Sequence, residues 1–197
     1  MIEYLKGSFT SIAPTHVVVE CSGVGYLAHI SLHTYTQIRD TANGVVLTHQ
    51  VIREDAHQLF GFAEERERHL FRLLLGVSGV GATTARMILS AMPPDDLERV
   101  ILSGDVVTLK RVKGIGAKSA ERILIDLRDK VGRGEPGAGM HSLVPAAGSA
   151  ALQEAGLALQ ALGFARPNID KALQKIRTSM PPDTAVDKIV REALKYL

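Results

Sequence analysis

Hydrophobic and polar residues follow three successive patterns along the chain, and the first pattern is typical of short β-strands. Five runs rich in β-branched and aromatic residues are separated by turn residues and occupy positions 2–12, 17–21, 25–30, 45–52 and 58–62. Five short strands at this spacing predict a small barrel or sandwich. Asn43 and Gly44 predict a turn just before the fourth run.

From Glu64 the apolar period changes from two residues to about 3.6, the period of an amphipathic helix. Leu70 and Leu74 lie on one predicted helical face, and helical patterns continue to Val131 between glycine and proline breaks. The middle of the chain is therefore predicted to be all-helical.

The third pattern begins with a break in composition. Residues 132–149 contain five glycines and two prolines, which is typical of a flexible linker. Three short apolar stripes of helical period follow, and they predict a three-helix module with a small core over residues 150–197.

The helical region contains an internal repeat. Residues 74–88 and 109–123 share glycine and apolar positions at an offset of 35 residues. Each copy predicts a helix, a tight Gly-X-Gly hairpin whose central Val80 or Ile115 points inward, and a second helix with unpaired N-terminal amides. Such amides bind anions, so two copies suit two phosphates of a nucleic-acid backbone. A helical hairpin that only packs is the alternative.

Several functions are disfavoured by what the chain lacks. Ala82 stands where a P-loop needs lysine, and neither Gly-X-Gly extends into a dinucleotide-binding motif, so no nucleotide cofactor is expected. The single cysteine, Cys21, excludes an intrachain disulfide, and the seven histidines show no metal-binding pattern. No signal peptide or membrane-spanning run is predicted, which makes the cytoplasm the default location.

Charge is distributed unevenly along the 197 residues. The formal net charge of +2 argues on its face against a strong nucleic-acid binder. Residues 1–62, however, carry three basic and five acidic residues, whereas residues 109–133 carry eight basic and three acidic ones. The positive charge is thus concentrated around the second repeat, although a solvated helix face would look the same.

Several local motifs make the whole chain similar to one family. They are Gly-Val-Gly-Tyr at 23–26, Val-Ile-Arg-Glu-Asp-Ala at 51–56, Leu-Phe-Gly-Phe at 59–62, both hairpins, and Leu-Gly-Phe at 162–164. In this combination and order the chain resembles the RuvA family of Holliday junction-binding proteins. The resemblance implies an α+β multidomain fold. It comprises an OB-like β-barrel with an acidic pin (1–62), a tandem helix-hairpin-helix DNA-binding domain (63–131), the linker (132–149) and a UBA-like three-helix motor-binding module (150–197).

The resemblance also implies function and partners. It implies a non-catalytic subunit that binds four-way junction DNA as a homotetramer, alone or paired into an octamer, and that works with the RuvB hexameric ATPase and the RuvC resolvase. Neither a cofactor nor a metal is implied. The implied DNA-binding residues are Gly79, Val80, Gly81, Gly114, Ile115, Gly116, Lys118 and Arg122; the acidic pin is Glu54 and Asp55; the partner-binding residues are Leu159, Leu162, Phe164 and Leu194.

Some alternatives remain open at this point. The first hairpin departs from the family pattern because Ala82 and Thr83 stand where Pro-Lys or Pro-Arg is usual. A helix-hairpin-helix nuclease or glycosylase, and a protein-interaction adaptor, are the competing functions. Glu54 and Asp55 also fit an ordinary polar turn, and the C-terminal leucines also fit a bundle core.

Overall fold

The computed structural model of the chain describes residues 1–131, 147–177, 181 and 184–197. The chain divides into two compact units, Met1–Ala138 and Gly139–Leu197, and each is described by itself. Most of the predicted linker, residues 132–146, lies outside the described residues, and its last three positions already belong to a helix that begins at Ala147.

Five strands close an N-terminal barrel, as the OB-like prediction required. They are β1 (Tyr4–Ala13), β2 (His16–Cys21), β3 (Val24–Ile30), β4 (Asn43–Ile52) and β5 (His57–Phe62). The order around the barrel is β1-β2-β3-β5-β4, with β4 paired back to β1 and only the β3–β5 pair parallel. Alternate inward side chains such as Val17, Val19 and Val46 are fully buried in its core.

The connection between β3 and β4 differs from the sequence-based expectation. It contains a helix, α1 (Leu32–Ile38), whose first turn is capped by the Ser31 side chain, which accepts a hydrogen bond from the Thr34 amide. The turn predicted at Asn43 and Gly44 is wrong, because both residues pair with β1 inside the ladder. The chain turns earlier, at residues 39–40 directly after α1, where the Thr41 amide donates to the Ile38 carbonyl at 3.0 Å.

Between the barrel and Val131, the last described residue of the first unit, there are five helices. They are α2 (Glu65–Leu75), α3 (Ala82–Ala91), α4 (Pro94–Ser103), α5 (Val106–Lys110) and α6 (Ala117–Val131). Their shared core includes Leu74, Ile88 and Leu127, and it is continuous with Phe60 and Phe62 of β5. The last barrel strand therefore packs directly against the helical region.

A buried polar contact, which sequence reasoning missed, also joins the barrel to α2. The Glu67 carboxylate is 0% exposed and accepts hydrogen bonds from the hydroxyls of Ser31 and Thr34. Burial raises the pKa of Glu67 above its usual range, although the two hydroxyl donors oppose this shift. The neighbouring Arg68 donates to the backbone carbonyls of Glu3 at 2.9 Å and Thr48 at 3.2 Å. Two adjacent side chains of α2 thus fix the helices on the barrel.

The described residues of the second unit, 147–177, 181 and 184–197, form three helices, as predicted. They are α7 (Ala147–Ala161), α8 (Arg166–Arg177) and α9 (Val186–Ala193). Their common core is formed by Leu159, Ile169, Ala172, Ile176 and Ala193, a small set for three helices. The short core agrees with the marginal stability expected of a module of this size.

Candidate nucleic-acid interface

The two predicted hairpins have the same backbone hydrogen bonds at the same offset. The Val80 amide donates to the Val77 carbonyl at 3.0 Å, and the Ile115 amide donates to the Val112 carbonyl at 3.1 Å. Three further bonds from an amide to a carbonyl repeat in the same way. In the first repeat they run from Gly76 to Leu73, from Val77 to Leu74 and from Ala85 to Gly81. In the second they run from Arg111 to Thr108, from Val112 to Leu109 and from Ala120 to Gly116. The sequence repeat is therefore also a structural repeat.

Each hairpin turns at its first glycine. Gly79 has φ 89° and Gly114 has φ 90°, a conformation that favours glycine because a Cβ would be strained there. The next residue, Val80 or Ile115, is only 6% exposed and packs into the helical core, as predicted. The inward apolar residue holds the hairpin down while the glycines remain at the surface.

The helix that follows each hairpin begins with amides that have no acceptor. Within residues 1–131 no group accepts from the N–H of Ala82, Thr83 or Thr84 in α3, and the same holds for Ala117, Lys118 and Ser119 in α6. These are the orphan donors of a helix N-terminus, and they carry the positive end of the helix dipole.

The space in front of these amides is open. A Cβ built on Gly81 or on Gly116 meets no atom within 4 Å, and neither residue has a positive φ. Neither packing nor backbone conformation within this chain thus requires glycine at these two positions. A ligand that approaches the backbone closely would require it.

The two hairpins contact each other. The Arg122 guanidinium of α6 donates to the carbonyl of Ser78 in the first hairpin at 3.4 Å. The Met87 side chain of α3 lies 3.6 Å from the position that a Cβ on Gly114 would take. Sequence reasoning assigned Arg122 to DNA alone and missed its link to the first hairpin, which only the fold brings within reach.

The second hairpin and its following helix supply cationic side chains, whereas residues 73–85 around the first hairpin supply none of their own. Lys113, Lys118 and Arg122 are all exposed beside the second set of free amides. In the first hairpin Thr83 is exposed at the position of Lys118, and Ala82 is buried. The two hairpins therefore have similar backbones but different side-chain charge.

Glu54 and Asp55, the predicted acidic pin, lie in the turn between β4 and β5. The Arg53 amide donates to the Ala56 carbonyl at 2.8 Å and closes this turn beyond the last strand pair. Both carboxylates are exposed, and across the described ranges of the chain neither of them, nor Arg53, forms an ion pair. The pin is therefore a projecting, uncompensated pair of negative charges.

The four predicted partner-binding residues do not share one environment. Leu162 is 61% exposed and Leu194 is 43% exposed, so both are available to a partner. Phe164 is half-buried against the core of the second unit. Leu159 is 0% exposed and lies in the core shared by the three helices, so a role in partner binding stays a prediction for this residue.

Two searches of the described residues give negative results. Among the described residues no three His, Cys, Asp or Glu side chains are grouped so that they could hold a metal ion. Within the same parts of the chain no helix is long and apolar enough to cross a membrane.

Comparison with known proteins gives matches along the chain. The family models described as RuvA N terminal domain, SAM-like helix-hairpin-helix tandem and RuvA C-terminal domain match residues 1–61, 71–129 and 150–197. Relatives from Parabacteroides distasonis, Porphyromonas gingivalis and Christiangramia forsetii are 46%, 45% and 44% identical over the full length of both chains. Each relative is named Holliday junction branch migration complex subunit RuvA. The chain belongs to the RuvA family.

Each candidate feature falls within a different one of the three domain matches. Glu54 and Asp55 fall in the N-terminal match, both hairpins fall in the helix-hairpin-helix match, and Leu162 and Leu194 fall in the C-terminal match. The RuvA fold thus has the three parts that the sequence predicted, an OB-like barrel, tandem hairpins and a C-terminal helical module.

Proposed function

We propose that this chain is a non-catalytic, structure-specific DNA-binding subunit. It binds four-way Holliday junctions and recruits the RuvB ATPase for branch migration in homologous recombination and DNA repair. The observation that carries the proposal is the pair of equivalent hairpins, each of which presents open, unpaired amides at a helix N-terminus. Family membership supports the same function, because the relatives are named as subunits of that complex.

The hairpins bind DNA through backbone phosphates. Free amides of Ala82 to Thr84 and of Ala117 to Ser119 donate to phosphate oxygens, and Lys118 and Arg122 add positive charge at the second hairpin. Phosphate contacts of this kind carry no base identity, so the protein recognises the shape of the junction arms rather than their sequence.

The acidic pin acts by repulsion. In a homotetramer, alone or paired into an octamer, four copies of Glu54 and Asp55 gather near the point where the junction strands cross. Carboxylates repel phosphates, and the repulsion increases where water is partly excluded. The pin therefore disfavours intact duplex at the crossover and helps to hold the strands apart, without acid or base catalysis.

The second unit contacts the motor. Leu162 and Leu194 are apolar residues that remain exposed, and Phe164 follows Leu162 by two residues. Exposed apolar side chains on a small module are suited to a protein partner, which here is the RuvB hexamer. The RuvC resolvase joins the same complex.

A gel-shift assay tests the proposal. Four-way junction, linear duplex and single strand of matched length are titrated with the full chain at one fixed salt concentration. We expect the junction to bind most tightly and to remain uncut when magnesium is added. Equal binding to all three substrates, or no binding, would refute the proposal, and strand cleavage would indicate a nuclease instead.

A further inference from the structure

Arg86 of α3 differs from the other arginines around it. Residues 63–108 contain five arginines and no lysine, and the structure describes all of them. Four are paired with carboxylates: Arg66 with Asp95 and Glu98, Arg68 with Glu3 and Glu65, Arg72 with Glu3 and Glu65, and Arg99 with Asp96. In this stretch Arg86 has no carboxylate partner.

Arg86 instead lies against the barrel beside two histidines. Its guanidinium donates to the Thr15 carbonyl at 2.9 Å, just before β2. His16 on β2 and His29 on β3 stand directly opposite each other in the antiparallel ladder, so their side chains share one face of the sheet. All three side chains are half-buried, and the Thr15 hydroxyl lies 3.2 Å from the His16 ring.

Within residues 1–131, no carboxylate forms an ion pair with any member of the cluster formed by Arg86, His16 and His29. Burial lowers the pKa of His29, and the nearby charges of Arg86 and His16 lower it further. The remaining element against His29 is β5, which contributes the uncharged ring of Phe60 at 5.7 Å. One permanent cation beside two imidazoles, with no ion-paired carboxylate, leaves a place that an anion would stabilise.

The cluster lies close to the hairpin that lacks its own cation. Residues 73–85, which include the first hairpin, contain no lysine or arginine. Arg86 follows Ala82 by four residues, so it lies one turn further along α3, about 6 Å along the helix axis. A DNA strand carries a phosphate for about every 3.4 Å of its axis, so a strand bound at the first hairpin brings a second phosphate within reach of the cluster.

We propose that Arg86, His16 and His29 form a binding site for a backbone phosphate of DNA, next to the first hairpin. The site rests on the proposed DNA-binding function and deepens it. The site places positive charge beside the first hairpin, where Thr83 occupies the position that Lys118 has at the second hairpin. A phosphate there accepts from the free guanidinium nitrogens of Arg86 and from imidazole N–H groups of His16 and His29.

The salt dependence of junction binding tests the role of Arg86. Each phosphate contact contributes about 0.9 to the slope of log K against log salt concentration. We expect Arg86→Gln to reduce the magnitude of this slope by about that amount and Arg86→Lys to retain it. Arg99→Gln, which removes an equally charged but ion-paired and exposed side chain on α4, is the matched control and should leave the slope unchanged. An unchanged slope in Arg86→Gln would overturn the proposal.

The pH dependence of binding tests the histidines, and it remains informative if Arg86→Gln does not fold. A bound phosphate favours the protonated form of His29, whose pKa burial lowers in the free chain, so junction affinity should rise as the pH falls. We expect the double variant His16→Gln, His29→Gln to lose most of this rise, while His57→Gln, on exposed β5 sequence, keeps it. The same rise in both variants would contradict the proposed site.

The proposed function and the phosphate site fail in different ways. If the unaltered chain shows no preference for the junction over duplex, the proposed function is wrong. If that preference is present but the Arg86 and histidine variants behave like their controls, the function stands and only the phosphate site is refuted.

Discussion

Met87 and Arg122 occupy equivalent positions in the two repeats, 35 residues apart, and each contacts the hairpin of the other repeat. Met87 lies against Gly114, and Arg122 donates to Ser78, the neighbour of the equivalent Gly79. Such reciprocal contacts are those of an approximate two-fold relation. Under the proposed function this relation suits a duplex, because its two antiparallel strands are themselves related by two-fold axes.

Substitution of the last glycine of each hairpin should change DNA binding without impairing folding. Gly81 and Gly116 have no positive φ and no neighbour within 4 Å of a built Cβ, so alanine fits both positions. We expect Gly81→Ala and Gly116→Ala to raise the free energy of unfolding by about 0.4–1 kcal/mol, because alanine restricts the unfolded chain. Both variants should nevertheless bind the junction more weakly, since the added methyl group keeps phosphates from the amides.

The first glycine of each hairpin is the matched control for that experiment. Gly79→Ala and Gly114→Ala place a Cβ on a residue of positive φ, and they should lower stability by about 1–2 kcal/mol. Urea unfolding and gel shifts on all four variants measure both effects. Unchanged junction affinity in the stable Gly116→Ala variant would contradict the hairpin assignment.

The repeat could be predicted from sequence because its signal is local. Glycine positions, an inward apolar residue and the helices on either side are all properties of about fifteen consecutive residues, and Gly79 and Gly114 behave as expected. The strands of the barrel could be predicted equally well, because their apolar residues recur with a period of two. Helix α1 was missed because its seven residues are largely polar and too short for a clear apolar period.

Other features depend on contacts between distant parts of the chain and were not predictable. Glu67 reads as one more charge on an acidic first turn, and only the fold brings it to Ser31 and Thr34, more than thirty residues away. Arg86 likewise reaches Thr15, 71 residues away in sequence, only because the fold packs α3 against the barrel. Leu159 and Leu162 look alike in sequence, yet the three-helix packing buries the first and exposes the second.

Burial of Glu67 predicts a specific pH dependence of stability. The pKa of this carboxyl in the folded chain is raised above its ordinary value of 4.5, so the folded state holds the proton more tightly than the unfolded state does. The contribution of Glu67 to stability is therefore largest below pH 4.5 and declines as the pH rises through the folded pKa.

The variant Glu67→Gln should remove this decline. Glutamine offers one acceptor oxygen in place of two, so one buried hydroxyl loses its acceptor, at a cost of about 1–3 kcal/mol near pH 4.5. As the pH rises, the difference in free energy of unfolding between the original chain and the variant should shrink. Urea unfolding between pH 4.5 and 8 measures the difference, with Glu121→Gln, an exposed carboxylate of α6, as control. A difference that stays constant over this range would show that Glu67 does not titrate as inferred.

Neutralising the acidic pin should strengthen junction binding rather than weaken it. Glu54→Gln with Asp55→Asn keeps the shape of the turn, which is closed by backbone atoms of Arg53 and Ala56, and removes two exposed negative charges per chain. We expect equal or tighter binding at low salt, a smaller gain at high salt because of screening, and altered branch migration with the motor. Fluorescence anisotropy against salt concentration measures the binding, and Asp170→Asn in α8 controls for net charge. Markedly weaker binding by the double variant would rule out the repulsion argument.

The leucines of the second unit allow motor binding to be separated from folding of the module. Leu162 and Leu194 are exposed, so Leu162→Ser and Leu194→Ser should leave the free energy of unfolding within about 0.5 kcal/mol of its original value. Leu159→Ala removes a fully buried side chain and should cost about 2–5 kcal/mol, enough to unfold a module with so small a core. If the exposed leucines form the motor surface, the two serine variants bind junctions normally and lose RuvB in pull-down and junction-dependent ATPase assays. Full RuvB binding by a folded Leu162→Ser, Leu194→Ser double variant would place the motor contact elsewhere on the chain.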